Sequence, residues 1–440
     1  MKKLKKQTLC SLFACLLIIK LSSAVMAQSP EENREKYQIY RERFKTEFLY
    51  NSGDASIQGS YIPMESLRTS ESGQKSGYWA DGVWWLGHYV AMLSIEYRLQ
   101  QLDNVNTDET LQELRHVIAT YNRLDLEAER CWGGNDSLNG FFLRDDIDNS
   151  LASTLNVKTI NSDYKKYCGK GLEKNAPSQD QLWASYVGFA LLLKLVDVPD
   201  LQAEVKQLTS RLISSMHHTT PEGKEVWEIV NPVTGNVVQK QMDIQWLQYA
   251  HQQVETSLTD NKNSWGKANT QFWKDMWTMV KNNMLINKNG NFVWYGVLSC
   301  ATVINDNETN RHNGYDWLVK RCGQIQKKRP DLQQTLIFPH FPLISAILHG
   351  YQGKNPIPAA QYEQYLDAAP QEGAFHYVTN DTNYSSPAPW HSLSLFCPWH
   401  TADVGSFNML DYLLLYNAYR LVYRSGLEEY MRFTESPDKN

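Results

Sequence analysis

The chain has 440 residues, a formal net charge of -5 and no extended basic cluster, which argues against a nucleic-acid partner. Hydrophobic residues make up 42%, enough for a core, and 14 Trp and 24 Tyr are a surplus of the kind that lines ligand grooves as well as filling interiors. No HExxH, GxSxG or GxxxxGK[ST] occurs, and no GxGxxG sits at a strand-to-helix turn, so nothing points to metalloprotease, serine-hydrolase or nucleotide chemistry.

The N-terminus carries Lys2, Lys3, Lys5 and Lys6, then an apolar run over residues 9–21 broken by small polar residues and Lys20. Val25, Met26 and Ala27 place small or apolar side chains where a signal peptidase reads. The expectation is a signal peptide over residues 1–27, a mature single domain over 28–440, and a secreted or periplasmic location with no integral membrane association. A retained anchor is the alternative, but the run falls short of the ~20 residues that span a bilayer. Leu12, Phe13, Ala14 and Cys15 look like a lipid-attachment box; Leu16 to Ile19 continue the apolar run, which argues against cleavage there.

Downstream, residues 31–50 read as a charged amphipathic helix. Residues 66–77 are Ser/Gly-rich and read as a loop. Residues 81–102 are apolar with few charges, the pattern of a buried helix. Residues 108–125 form an amphipathic helix capped by Thr107, with Leu111, Leu114, Ile118 and Tyr121 recurring at helical spacing. Residues 178–196 are again strongly apolar, opened by Ser178 and Gln181 in a capping-box spacing. Residues 200–216 follow as an amphipathic partner with Leu201, Val205, Leu208, Leu212 and Met216 on one face. Short strands are expected at 224–230 and 236–240, around a Pro-Val-Thr-Gly turn. Further helices are expected at 243–258, 265–284, 292–303, 314–326, 339–351, 359–366 and 406–423, about twelve in all. Apolar helices alternate with amphipathic ones, as two concentric helical rings require, and no repeat of fixed length marks a solenoid. The expected class is all-α, a helical-hairpin barrel with a few short strands in loops.

Five cysteines follow the leader: Cys131, Cys168, Cys300, Cys322 and Cys397. Without a CxxC pair a zinc cluster is not expected. Cys131–Cys168 and Cys300–Cys322 are the nearest pairs for disulfides in an oxidising compartment, and buried free thiols are the alternative.

Residues 77–88 (GYWADGVWWLGH) and 177–183 (PSQDQLW) resemble the aromatic-acid loop-to-helix junctions of secreted bacterial (α/α)6-barrel glycosidases. That resemblance implies a funnel at one end of the barrel, lined by the N-termini of inner helices, with carboxylates as acid and base and aromatic rings as sugar platforms.

Glycoside hydrolysis needs two carboxylates, one of them kept protonated by an apolar surround. Asp180 heads an apolar helix close to Trp183 and Tyr186. Asp81 lies between Trp79 and the Trp84–Trp85 pair, with His88 two turns on. For both acids, interaction with the helix dipole is the competing structural role. In the loop 143–149, Asp145 or Asp146 is a candidate second carboxylate beside Phe141, Phe142 and Leu143. The same loop offers Asp145, Asp146 and Asp148 to a Ca²⁺ ion, although it lacks the Gly and distal Glu of an EF-hand; pairing with Arg144 or simple solvation are the alternatives. Otherwise no cofactor or metal is expected. Near the C-terminus, Pro389, Trp390, His391 and Pro398, Trp399, His400 form two Pro-Trp-His triplets, which line a sugar site or plug the barrel floor. Asp411, inside the last apolar helix, needs a partner if buried. Trp79, Trp84, Trp85, His88, Trp183, Trp390, His391, Trp399 and His400 are the expected carbohydrate contacts.

The leading expectation is a glycoside hydrolase. A polysaccharide lyase on a similar toroid would instead use Tyr384, His376 or His391 as base and Arg144 against a substrate carboxylate. A non-catalytic surface glycan-binding protein would use the aromatic residues alone.

Overall fold

A computed structural model describes residues 30–70, 72–79, 81–169, 173–219, 221–223, 225–239, 251, 254–260, 300, 302–304, 308, 311, 340–350, 359–371, 376–377 and 404–423. The leader, the helices expected at 265–284 and 314–326, most of those at 243–258 and 292–303, Tyr384 and both Pro-Trp-His triplets lie outside the described residues.

The protein is mainly helical with several short strands. In chain order come α1 (Pro30–Glu47), β1 (Ser66–Thr69), β2 (Lys75–Trp79), α2 (Gly82–Leu102), α3 (Asp108–Cys131), β3 (Thr159–Ser162), α4 (Asp163–Tyr167), α5 (Gln179–Leu195) and α6 (Pro199–Met216). Then follow β4 (His217–Thr219), β5 (Glu225–Trp227), β6 (Ile229–Val230), β7 (Val237–Gln239), α7 (His340–His349), α8 (Ala359–Asp367), β8 (His376–Tyr377), β9 (Val404–Phe407) and α9 (Leu410–Tyr423). Among these elements no helix is long and apolar enough to cross a membrane.

Helix character follows composition. α2 is buried along most of its length and around its circumference. α3 buries Leu114, Val117, Ile118, Tyr121 and Leu124 and leaves a polar face outside. α6 starts with Pro199 at a position that needs no N–H, and buries Leu201, Val205, Leu208, Leu212 and Met216. The most extensive helix contact is between α2 and α5. Two glycines permit it: a Cβ on Gly87 would stand 2.4 Å from the Ala184 carbonyl carbon, and one on Gly188 2.4 Å from the Gly87 oxygen.

Two local expectations do not hold. Residues 66–77 are not a loop: β1 and β2 pair in a five-stranded sheet of order β3-β2-β1-β9-β8, in which only β2 and β3 run parallel. The last helix begins at Leu410, because Val404–Phe407 pairs with β1 in the register Ser66↔Phe407. The β6–β7 hairpin falls where expected. Cys131, ending α3, is disulfide-bonded to Cys168, just after α4, with Cα atoms 4.9 Å apart. Cys300 is a buried free thiol, the alternative to its pairing with Cys322.

Candidate active site

β1, β2 and the starts of α2, α4 and α5 bring three carboxylates and two guanidinium groups together. Glu65 immediately precedes β1. Its N–H donates to the Tyr78 carbonyl at 2.8 Å, and its own carbonyl accepts from the Asn408 N–H at 3.2 Å. The Asn408 amide also holds the Met64 carbonyl at 2.9 Å, so β2 and the entrance to α9 fix the segment from both sides. The Glu65 side chain is only 3% exposed, and its Oε2 has no hydrogen-bond partner among the described residues. Burial pushes its pKa from 4.5 up to about 8; the charges of Asp81 and Asp163 add to this, and Arg68 opposes it. Arg68 lies over the Tyr78 ring, 3.7 Å from its centre.

Asp81 stands at the N-cap of α2 but makes no side-chain cap to that helix. Its Oδ1 instead accepts from Gln181 Nε2 at 2.7 Å and lies 3.9 Å from Arg144 Nη1. Gln181 is the residue expected to close a capping box with Ser178. Ser178 makes no side-chain cap, and Gln181 reaches across to α2. Asp163, the first residue of α4, faces the same Arg144 Nη1 at 3.3 Å; burial raises its pKa and the Arg144 charge pulls it back. Arg144 is tied down by a 2.8 Å bond from Nε to the Ala176 carbonyl. Its side chain is 24% exposed, against 13% for Asp81 and 15% for Asp163, so the site meets solvent on the Arg144 side.

Asp145 and Asp146 lie one layer outside this group. Asp146 is clamped by Arg123 at 2.8 Å and accepts from the Gly59 N–H at 3.0 Å. Asp145 accepts from the N–H groups of Ile147 and Asp163, both at 3.0 Å. Asp148 accepts from the Ser150 N–H at 2.8 Å and caps a short 3₁₀ turn. Protein donors therefore account for the gathering of acids in this loop. Among the described residues no group of three or more His, Cys, Asp or Glu is arranged to hold a metal ion.

Among the described residues the expected aromatic contacts, Trp79, Trp84, Trp85, His88 and Trp183, are fully interior. Trp79 donates to the Ile62 carbonyl at 3.2 Å and packs against Gly77. Trp84 and Trp85 are buried on the face of α2 that carries His88, with the Trp84 ring edge-on to the imidazole at 4.9 Å. His88 is held neutral: burial pushes its pKa down to about 3, with a smaller lowering from His340 of α7. Trp183 is buried on α5. Asp180 lies in the first turn of α5, and its side chain, like Trp390, His391, Trp399 and His400, is outside the described residues. Asp411 sits in the first turn of α9, where the helix dipole favours a carboxylate.

Sequence reasoning missed Glu65 and Asp163. Glu65 is the single acid between Asp54 and Glu71 and follows Ile62, Pro63 and Met64. An acid in an apolar context was the signal, but it precedes a strand rather than a helix. No known protein family, no curated protein and no solved structure matches this chain.

Proposed function

We propose that the chain is a secreted or periplasmic glycoside hydrolase on a helical-hairpin barrel, with Glu65 as proton donor and Asp81 as the carboxylate facing it. The observation that carries the reading is the contrast between these two acids. Glu65 is buried, has an oxygen without a hydrogen-bond partner among the described residues, and holds its proton through neutral pH. Asp81 is positioned by Gln181 and Arg144. A glycosidic bond is broken by this division of labour: one acid protonates the leaving oxygen while the other attacks the anomeric carbon or activates a water. Arg144, joined to both Asp81 and Asp163, places a positive charge beside the second carboxylate. The Cys131–Cys168 bridge supports an oxidising compartment, in line with the leader-like N-terminus. A lyase needs a cation aligned with a Tyr or His base, whereas Arg144 here faces two carboxylates.

The test is a glycan panel with reducing-sugar detection, using the parent chain and the Glu65→Gln, Asp81→Asn and Asp180→Asn variants. Turnover is expected to fall about 10²–10⁴-fold in the first two, which must remain folded. Activity kept within tenfold in both variants would reject the assignment. An ultraviolet-absorbing unsaturated product would make the protein a lyase, and tight binding without turnover a glycan-binding protein.

A further inference from the structure

β1, β2 and β3 present two unlike faces. Side chains alternate across a sheet, so Ser66 and Arg68 of β1, Ser76 and Tyr78 of β2, and Thr159 and Asn161 of β3 share one of them. The other face carries Trp79 and Ile160, both buried in the core. The first face is polar, and at its exposed end Ser76 Oγ and Thr159 Oγ1 meet at 2.6 Å. Arg68 is its charged member. Its guanidinium lies over the Tyr78 ring, 3.7 Å from the centre, and the residue is only 7% exposed.

Arg41 and Arg123 are buried as deeply, and each grips carboxylates: Arg41 those of Glu96 at 3.0 Å and Glu113 at 2.7 Å, Arg123 that of Asp146 at 2.8 Å. Arg68 has no ion pair among the described residues, where its one hydrogen bond is a long one from Nε to Ser66 Oγ at 3.4 Å. The acid on which its charge acts is Glu65, which keeps its proton at neutral pH and so brings no counter-charge. A guanidinium is always ionised, and burying it without an anion is costly. The Tyr78 ring offsets only part of that cost. The group is also within reach of a ligand. Arg41 Nη1 is sealed from solvent without a partner, whereas no nitrogen of Arg68 is sealed in that way. Gly405, opposite Arg68 in β9, sets no side chain beside it. The guanidinium fork offers parallel N–H groups that match the two oxygens of a carboxylate, one charge against one.

We infer that Arg68, backed by Tyr78, is the seat of a ligand carboxylate, and that this carboxylate belongs to a uronic-acid unit of the glycan on which the chain acts. The second half rests on the hydrolase reading. Arg68 and Glu65 are three residues apart, roughly 10 Å of extended strand, so the acidic unit held here is distinct from the bond that Glu65 would protonate.

The test uses the full chain carrying Glu65→Gln, titrated calorimetrically with hexagalacturonate, hexamannuronate and a hyaluronate hexasaccharide, with the carboxyl-reduced form of each, and with sodium acetate. The titrations are repeated with Arg68→Gln or Arg68→Lys added. Binding of one of the uronates is expected, weakened about 10–100-fold by carboxyl reduction and to the same extent by Arg68→Gln. Arg68→Lys keeps the charge and loses the fork, so it should fall between the two. Carboxyl reduction alters the ligand alone, which keeps the test decisive if a variant misfolds. A reduced glycan bound as tightly as its uronate, affinity unchanged within twofold in Arg68→Gln, or no uronate bound would each overturn the seat. Acetate held through Arg68 by a chain that binds no uronate would mean an adventitious anion only. Uronate bound through Arg68 but never cleaved by the parent, or cleaved to an unsaturated product, would sink the hydrolase reading and leave the seat. Hydrolysis of a neutral glycan by the parent, with KM unchanged by Arg68→Gln, would do the reverse.

Discussion

Replacing Glu65 with Gln has a consequence for stability that is opposite in sign to its effect on turnover. Glutamine copies the shape of a protonated carboxyl and never ionises. In the parent, Glu65 holds its proton in the folded chain up to about pH 8, whereas in the unfolded chain it releases it near 4.5. The raised value contributes stability that is fully present below pH 4.5 and is lost as pH rises through about 8. Each pH unit of that window is worth about 1.4 kcal/mol, or roughly 5 kcal/mol over its whole span, as an order of magnitude. Urea denaturation of both proteins from about pH 5 to about pH 8 reads the effect, and all other titrating groups cancel in the difference. The gap should move in favour of Glu65→Gln by about 4 kcal/mol between those limits. Parallel stability curves would refute the placement of Glu65 as a buried, protonated acid. The parent's kcat/KM should fall as pH passes about 8.

Three further perturbations probe the scaffold. Asp146→Ala leaves the Arg123 guanidinium buried without its carboxylate and should cost about 3–5 kcal/mol in urea denaturation, although Asp146 lies in the acidic loop and outside the carboxylate group. Gly188→Ala drives a methyl to 2.4 Å from the Gly87 oxygen and should cost about 1–3 kcal/mol; a neutral result would mean that α2 and α5 are not in close backbone contact. Paired Cys131→Ser and Cys168→Ser substitutions open a loop closed across 37 residues and should cost about 4 kcal/mol, with a loss of turnover because Arg144 and Asp163 lie inside that loop.

The helices were legible because their physics is local. The largely apolar 81–102 and 178–196 and the periodic 108–125 and 200–216 became α2, α5, α3 and α6 with the expected faces buried. The sheet was not legible. β1 and β2 are built from Ser, Lys, Gly and Thr as much as from apolar residues, and β1 gains a partner, β9, more than three hundred residues away. Ser406 and Phe407 therefore went to a strand although they continue an apolar helical pattern. Asp81 was visible through its tryptophans, but those rings turned out to be interior packing, and the contacts that matter come from Gln181 and Arg144. Gln181 shows why: its spacing from Ser178 satisfies a local capping rule, and a tertiary partner took the amide instead.

Burial alone does not identify the proton donor, because it raises Asp145 as well as Glu65. What separates them is what else holds each carboxyl. Both oxygens of Asp145 accept backbone N–H groups, one from Ile147 and one from Asp163, and these bonds favour its charged form and fix it in place. Giving up or taking on a proton there would disturb the start of α4. Glu65 has an Oε2 without a hydrogen-bond partner among the described residues, beside the charges of Asp81 and Asp163, so in the proposed reaction its proton would leave without breaking a bond among them. Asp145 serves the same site indirectly. By anchoring the Asp163 N–H it sets the carboxylate that, with Asp81, grips Arg144. Gly82 presses that loop onto the start of α2, since a Cβ there would meet the Arg144 carbonyl at 2.6 Å. The acids divide into one that is free to react and others that hold the frame around it, and that division follows from hydrogen-bond occupancy rather than from position in the sequence.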